Sequence, residues 1–110
     1  MNALRTLAIL IVAALLEAGG DAMVRKGLYA PALARTGFML LGAAALFAYG
    51  YTVNAPRWEF GPLLGVYMAV FFVVAQLAGW LLFGKPPTAR VLVGGLCIVT
   101  GGFIVAGSQI

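Results

Sequence analysis

Apolar residues gather in four long runs along the chain, at 7–24, 37–53, 60–83 and 91–107. Each run holds 17 to 24 residues, and a helix of about 20 residues crosses a hydrocarbon layer of about 30 Å. The runs lack the alternation of apolar and polar positions that is typical of barrel strands. Only helices and closed barrels satisfy their backbone hydrogen bonds in lipid. The pattern therefore predicts an all-α integral membrane protein with four transmembrane helices in a single domain, 1–110.

Composition supports this prediction and excludes several classes of function. Hydrophobic residues make up 64% of the chain and charged residues 9%, whereas soluble domains average about 45–50% and about 25%. The chain has no histidine and a single cysteine, Cys97, so it has no internal disulfide and no set of soft metal ligands. Its glycine pairs lie inside the apolar runs and form no nucleotide-binding fingerprint. We expect neither an enzyme nor a cofactor, and no nucleic-acid partner.

Charge is concentrated between the apolar runs, where it predicts how the chain is oriented. Of the seven basic residues, five lie in the first and third connections and two on the opposite side. The positive-inside rule then places both termini outside the plasma (inner) membrane. Insertion in both orientations stays open as an alternative. The five are Arg25, Lys26, Arg35, Lys85 and Arg90, and the two are Arg5 and Arg57.

Glu17 is the strongest candidate for a functional residue because it lies about ten residues into the first run. A charged side chain at such a depth costs about 2.5–3.5 kcal/mol on insertion scales. Burial disfavours the charged form, so this carboxyl is suited to exchanging a proton for a cation. The alternative is a protonated glutamic acid that only hydrogen-bonds to a neighbouring helix.

Asp21 and Arg25 continue the same helical face, each four residues beyond the last. We expect Arg25 to pair with Asp21 near the membrane boundary and to leave Glu17 as the proton-exchanging group. A direct role for Asp21 in binding substrate stays open beside this ion pair.

Two further features concern the second and third runs. Tyr49 and Tyr67 are candidate aromatics of a binding cavity, since a ring face holds an organic cation and a phenol hydrogen-bonds to a carboxyl. Gly61, Pro62 and Gly65 crowd the start of the third run and predict a hinge. Pro62 could equally lie in the first helical turn, where proline is tolerated.

Gly94 and Gly101 lie two turns apart on one face of the fourth run. Small residues allow membrane helices to approach closely, so this face is predicted to form a homodimer contact. Gly95 and Gly102 repeat the spacing on an adjacent strip.

These motifs resemble those of the small multidrug resistance family, within the drug/metabolite transporter superfamily, over nearly the whole chain. The resemblance rests on a glutamate in the first helix, a Phe-Gly-polar turn before the last helix, a glycine pair in that helix and part of a third-helix hinge. The matching residues are Ala14-Leu15-Leu16-Glu17 with Gly20 and Arg25, Phe83-Gly84-Lys85, Gly94 with Gly101, and Gly65-Val66.

The resemblance implies a four-helix subunit in an antiparallel homodimer that exchanges protons for hydrophobic or guanidinium-type cations through the two copies of Glu17. The third helix departs from the family pattern. Phe60 and Leu63 replace its tyrosine and tryptophan, and Tyr67 replaces its last glycine. Phe60 and Tyr67 are thus the candidate aromatics of the substrate site. Two alternatives stay open: a flippase or flippase subunit for an amphipathic lipid-linked substrate, and an assembly subunit that transports nothing.

Overall fold

The computed structural model describes residues 2–109, which form four helices joined by short connections. The helices are α1 (Ala3–Leu28), α2 (Ala32–Val53), α3 (Phe60–Phe83) and α4 (Ala89–Ala106). All four are long and apolar enough to cross a membrane. Helix α1 extends past the apolar run at both ends, and α2 begins before its own run does. Only residues 29–31 therefore connect α1 to α2, and the basic side chains near this turn project from helix ends.

The helix boundaries have identifiable local causes. The Asn2 side chain accepts a hydrogen bond from the Arg5 amide at 2.7 Å, and the Thr88 hydroxyl accepts one from the Val91 amide at 3.2 Å. These caps satisfy amides that have no partner within their own helix. Gly84 ends α3 with a φ of 68°, a left-handed conformation that glycine adopts without steric cost.

Helices α1 and α2 form the most extensive contact of the fold, and they approach most closely at two glycines. A Cβ added at Gly20 would lie 2.9 Å from the Leu46 side chain, and one added at Gly42 would lie 2.8 Å from Val24. At both positions an added side chain would have to displace its neighbour. This close approach lets the two helices pack along their length through small residues.

Helix α3 packs against both α1 and α4. A Cβ at Gly95 would lie 2.5 Å from the Phe72 ring, and one at Gly102 would lie 2.5 Å from the Cβ of Ala69. The strip that packs within the subunit is thus the one formed by Gly95 and Gly102. Gly94 and Gly101 face outward, with no atom within 4 Å of an added Cβ.

The buried core lies where α1, α3 and the end of α2 meet. It consists of six residues, most of them aliphatic and one of them a tyrosine. They are Leu10, Ala13, Ala14, Val53, Leu63 and Tyr67.

Pro62 lies in the first turn of α3, and the helix continues without interruption to Phe83. The first helical hydrogen bond runs from the Leu63 amide to the Glu59 carbonyl at 2.9 Å. The amide hydrogen that proline lacks would have had no helical partner at this position. The placement matches the first-turn alternative for Pro62, and a hinge at Gly61, Pro62 and Gly65 stays a prediction.

Candidate functional site

Glu17 is presented to the interior of the subunit by an α1 face made of small residues. Ala13, Ala14 and Ala18 are at most 8% exposed, and their short side chains bring α1 close to its neighbours. Glu17 is itself partly buried. Because these alanines allow α1 to lie close to its neighbours, the longer side chain of Glu17 reaches α3.

The partner of Glu17 on α3 is Tyr67. The Tyr67 hydroxyl donates a hydrogen bond to Oε1 of Glu17, with 2.7 Å between the two oxygens. Tyr67 is 1% exposed, so its phenol has little access to any other partner. Because hydrogen bonds to an ionised acceptor are shorter and stronger than neutral ones, this phenol is well placed to stabilise a carboxylate at position 17.

Two more aromatic rings extend this pair. The Tyr49 ring of α2 lies 5.4 Å from the Tyr67 ring, centroid to centroid, with the planes tilted by 34°. The Phe71 ring also stacks on the Tyr67 ring, at 5.9 Å between centroids and 30° between planes. Sequence reasoning missed Phe71. The sequence spacing could have indicated it, because residues four apart on a helix share a face and Phe71 follows Tyr67 by four positions.

Asp21 lies one turn beyond Glu17, in a cleft of about 610 Å³ between α1 and α3. The Phe71 ring and Ala18 also line this cleft, so it adjoins the pair formed by Glu17 and Tyr67. Arg25 and Lys85 line its charged end, near the connection that leads to α4. The cleft thus carries one acidic and two basic side chains.

The predicted ion pair of Asp21 with Arg25 is not formed within residues 2–109. The guanidinium carbon of Arg25 lies 5.9 Å from the centroid of the Phe83 ring instead, and the Lys26 ammonium lies 5.8 Å from the same centroid. A cation over an aromatic face is electrostatically stabilised, and Arg25 gains this contact at the end of α3. Asp21 is left exposed to the cleft.

The remaining predicted site residues lie apart from this cluster. Phe60 begins α3 and is 68% exposed, two turns before Tyr67. Gly61 has open space around it, and an added Cβ at Gly65 would make an ordinary contact with Val105 at 3.5 Å. Of the predicted residues, the structure brings Glu17, Tyr67 and Tyr49 together.

The four helices, each long and apolar enough to cross a membrane, indicate a small multi-pass membrane protein. Two curated relatives match almost end to end, and both are named UPF0060 membrane proteins. The relative from Herpetosiphon aurantiacus is 33% identical over 107 residues, 96% of each chain. The relative from Kineococcus radiotolerans is 32% identical over 109 residues, 96% of this chain and 95% of its own.

The chain therefore belongs to the UPF0060 membrane proteins. No family model matches it, and no solved structure matches it.

Proposed function

We propose that this protein is a proton-coupled exporter of small or hydrophobic organic cations, with Glu17 as the group that binds the proton and the cation in turn. The observation that carries the proposal is the hydrogen bond from the Tyr67 hydroxyl to Glu17 Oε1 at 2.7 Å. It joins an acidic residue of one candidate span to a buried aromatic residue of another.

The bond supports alternate binding of a proton and a cation. When Glu17 is protonated, its carboxyl holds the proton; once the proton leaves for the solvent, the Tyr67 phenol stabilises the carboxylate, which can then bind a cation. Only one of the two positive species is held at a time, because a single carboxylate neutralises a single positive charge. Entry of the cation thus releases the proton from Glu17.

The aromatic rings around Glu17 suit an organic cation. Tyr49 and Phe71 each lie against the ring of Tyr67, whose hydroxyl bonds to the carboxyl. The face of a ring attracts a cation within about 6 Å of its centroid, by about 2 kcal/mol when the contact is desolvated. A guanidinium or quaternary ammonium group gains from both the rings and the carboxylate, whereas a hydrated inorganic cation gains only from the carboxylate.

The working unit we propose is a homodimer. A single subunit buries little of the outward faces of α2 and α4, and the outward strip of Gly94 and Gly101 has open space above it. A second α4 could approach that strip closely. Two copies would place two Glu17 carboxyls in one assembly, and alternating access between repeats is the general logic of such transporters.

The proposal is tested by uptake of ethidium into proteoliposomes that have an acidic interior. Wild-type protein should accumulate the dye, and Glu17→Gln should lower the initial rate at least tenfold because it removes the exchangeable proton.

Glu59→Gln is the matched control. Glu59 is an exposed residue that directly precedes α3, so its replacement should leave the rate unchanged. Uptake that persists in Glu17→Gln would contradict the proposal. So would the absence of uptake in wild-type protein for ethidium, guanidinium and tetraphenylphosphonium alike, and that result would favour a flippase or an assembly subunit.

A further inference from the structure

The cleft between α1 and α3 that adjoins Glu17 carries charges of both signs. Asp21 lies within it, and Arg25 and Lys85 line its outer end. Between these charges the walls are apolar, formed by small residues and two aromatic rings. The volume of about 610 Å³ falls within the range of sites that bind small molecules, and such sites combine apolar walls with a few polar groups.

The charges of the cleft are held apart from one another. Asp21 is exposed to the cleft, and the Arg25 guanidinium lies over the Phe83 ring, 5.9 Å from its centroid, rather than on Asp21. Residues 21 and 25 are one helical turn apart, which is about 6 Å along the axis. Glu17 lies one turn further inward, about 12 Å from the level of Arg25. An occupant that satisfies both ends therefore carries opposite charges about 6–12 Å apart.

The mouth of the cleft is electropositive. The Lys26 ammonium lies 5.8 Å from the centroid of the same Phe83 ring, so it joins Arg25 and Lys85 at the end of α3. Charges of one sign around a cleft with apolar walls attract the opposite sign and repel their own. This mouth therefore disfavours a simple cation and favours a molecule that also carries an anionic group. The positive-inside rule predicts that this end faces the cytoplasm, the side from which an exporter takes its substrate.

We propose that the cleft binds a zwitterion, a molecule with a quaternary ammonium or guanidinium group at one end and a carboxylate at the other. The cationic group lies against the Phe71 ring, between Glu17 and Asp21. The carboxylate lies between Arg25 and Lys85, and the planar fork of an arginine can donate two parallel hydrogen bonds to it. The proposal rests on the cation-export proposal for the role of Glu17, and it deepens that proposal by giving the substrate a second, anionic group.

The test compares two ligands that differ in charge. The first is 6-trimethylammoniohexanoate, whose extended chain holds its charges within the required span. The second is its primary amide, which has nearly the same shape and no negative charge. Their dissociation constants are measured by isothermal titration calorimetry on the purified protein in mild detergent. Wild-type protein should bind the zwitterion about tenfold more tightly than the amide, the value of one charge-assisted hydrogen bond.

The variants assign this preference to the cleft. Lys85→Gln and Arg25→Gln should each reduce it to about threefold or less, by weakening binding of the zwitterion and leaving the amide nearly unchanged. Lys85→Arg keeps the charge and should keep the preference. Lys26→Gln is the matched control, because Lys26 contacts the same Phe83 ring but does not line the cleft, so the preference should stay.

Equal binding of the two ligands by wild-type protein would overturn the proposal, as would a preference that survives in both Lys85→Gln and Arg25→Gln. A loss in Lys26→Gln as large as in Lys85→Gln would also overturn it, since the general positive charge of this end would then be the cause. So would a preference that disappears when phosphatidylglycerol replaces phosphatidylcholine in nanodiscs, because the basic side chains would then bind a lipid headgroup.

The two proposals fail in different ways. Ethidium uptake that depends on Glu17, together with equal binding of the two ligands, would reject the zwitterion and support export. A preference for the zwitterion that Lys85→Gln removes, in protein that transports no cation, would support the binding cleft and reject export.

Discussion

At the scale of single residues, the contact between Glu17 and Tyr67 is the feature that joins the two candidate helices of the site. The side chains come from different helices, and their oxygens lie 2.7 Å apart. Sequence reasoning named both residues, because an acidic side chain within an apolar run is costly and a nearby phenol is a natural partner for it. It could not foresee the pairing itself, since nothing in the spacing of residues 17 and 67 fixes how α1 and α3 are rotated.

Tyr67→Phe tests whether this contact stabilises the fold. Removing the hydroxyl should lower the free energy of unfolding in the Glu17 background and change it little in a Glu17→Ala background. The coupling in this double-mutant cycle should be about 1–2 kcal/mol, measured by titration from mild detergent into sodium dodecyl sulfate. Tyr51→Phe is the control, because Tyr51 is 79% exposed. A coupling near zero would mean that the two side chains do not interact.

Asp21 and Arg25 show how far reasoning from spacing reaches. A spacing of four predicted that they would pair, whereas the Arg25 guanidinium lies over the ring of Phe83 in the structure. Phe83 lies 58 positions further along the chain, at the end of another helix. Spacing along the sequence identifies possible partners within one helix. It does not show whether a residue of another helix, which the fold brings close, is the preferred partner.

At the scale of helices, glycine determines which faces pack. The sequence predicted a contact at Gly94 and Gly101, and it noted Gly95 and Gly102 as a second strip. The structure separates their roles, because an added Cβ would clash at Gly95 and Gly102 and would meet nothing at Gly94 and Gly101. Periodicity shows that two strips exist, but it does not show which strip faces α3.

The contact between α1 and α2 is tested by valine substitutions at two α2 glycines. Gly42→Val should destabilise the subunit by about 1–3 kcal/mol, since an added Cβ already lies 2.8 Å from Val24 and overpacking costs about that much. Gly37→Val should have little effect, because an added Cβ there has no atom within 4 Å. Both are measured by the detergent titration. Equal destabilisation would show that α2 packs through a different face.

The outward strip of α4 is tested separately, through disulfide cross-linking of the exposed Cys97. It lies between Gly94 and Gly101 on the same face, so a homodimer packed through this strip should give a Cys97–Cys97 product. Gly101→Leu should abolish the product and leave the unfolding free energy nearly unchanged, whereas Gly102→Leu should destabilise the subunit itself. Cross-linking that persists in Gly101→Leu would place the dimer contact elsewhere.

At the scale of the whole molecule, hydrophobic runs were enough to predict four helices, and family membership agrees with a multi-pass membrane protein. The helix ends were less predictable. Capping by Asn2 and Thr88 starts α1 and α4 before their apolar runs, and a turn of three residues is enough to join α1 to α2. Burial in lipid sets the length of the apolar runs, whereas capping sets where the helices begin.

Orientation also belongs to this scale. Five basic residues lie at the end of the molecule that holds the turn 29–31 and the connection 84–88, and two lie towards the other end. The positive-inside rule then predicts that both termini are outside. Alkaline phosphatase fused to the C-terminus should be active, and green fluorescent protein fused there should be dark. The reverse result would contradict the prediction, and activity of both fusions would show insertion in both orientations.

If Glu17 exchanges a proton for an organic cation, then binding of the cation should release a proton into solution. Tetraphenylphosphonium is added to detergent-solubilised protein in weakly buffered solution containing a pH-sensitive dye. The pH should fall for wild-type protein and for Asp21→Asn, and should not change for Glu17→Gln. Release that persists in Glu17→Gln but disappears in Asp21→Asn would contradict it and would assign the exchange to Asp21.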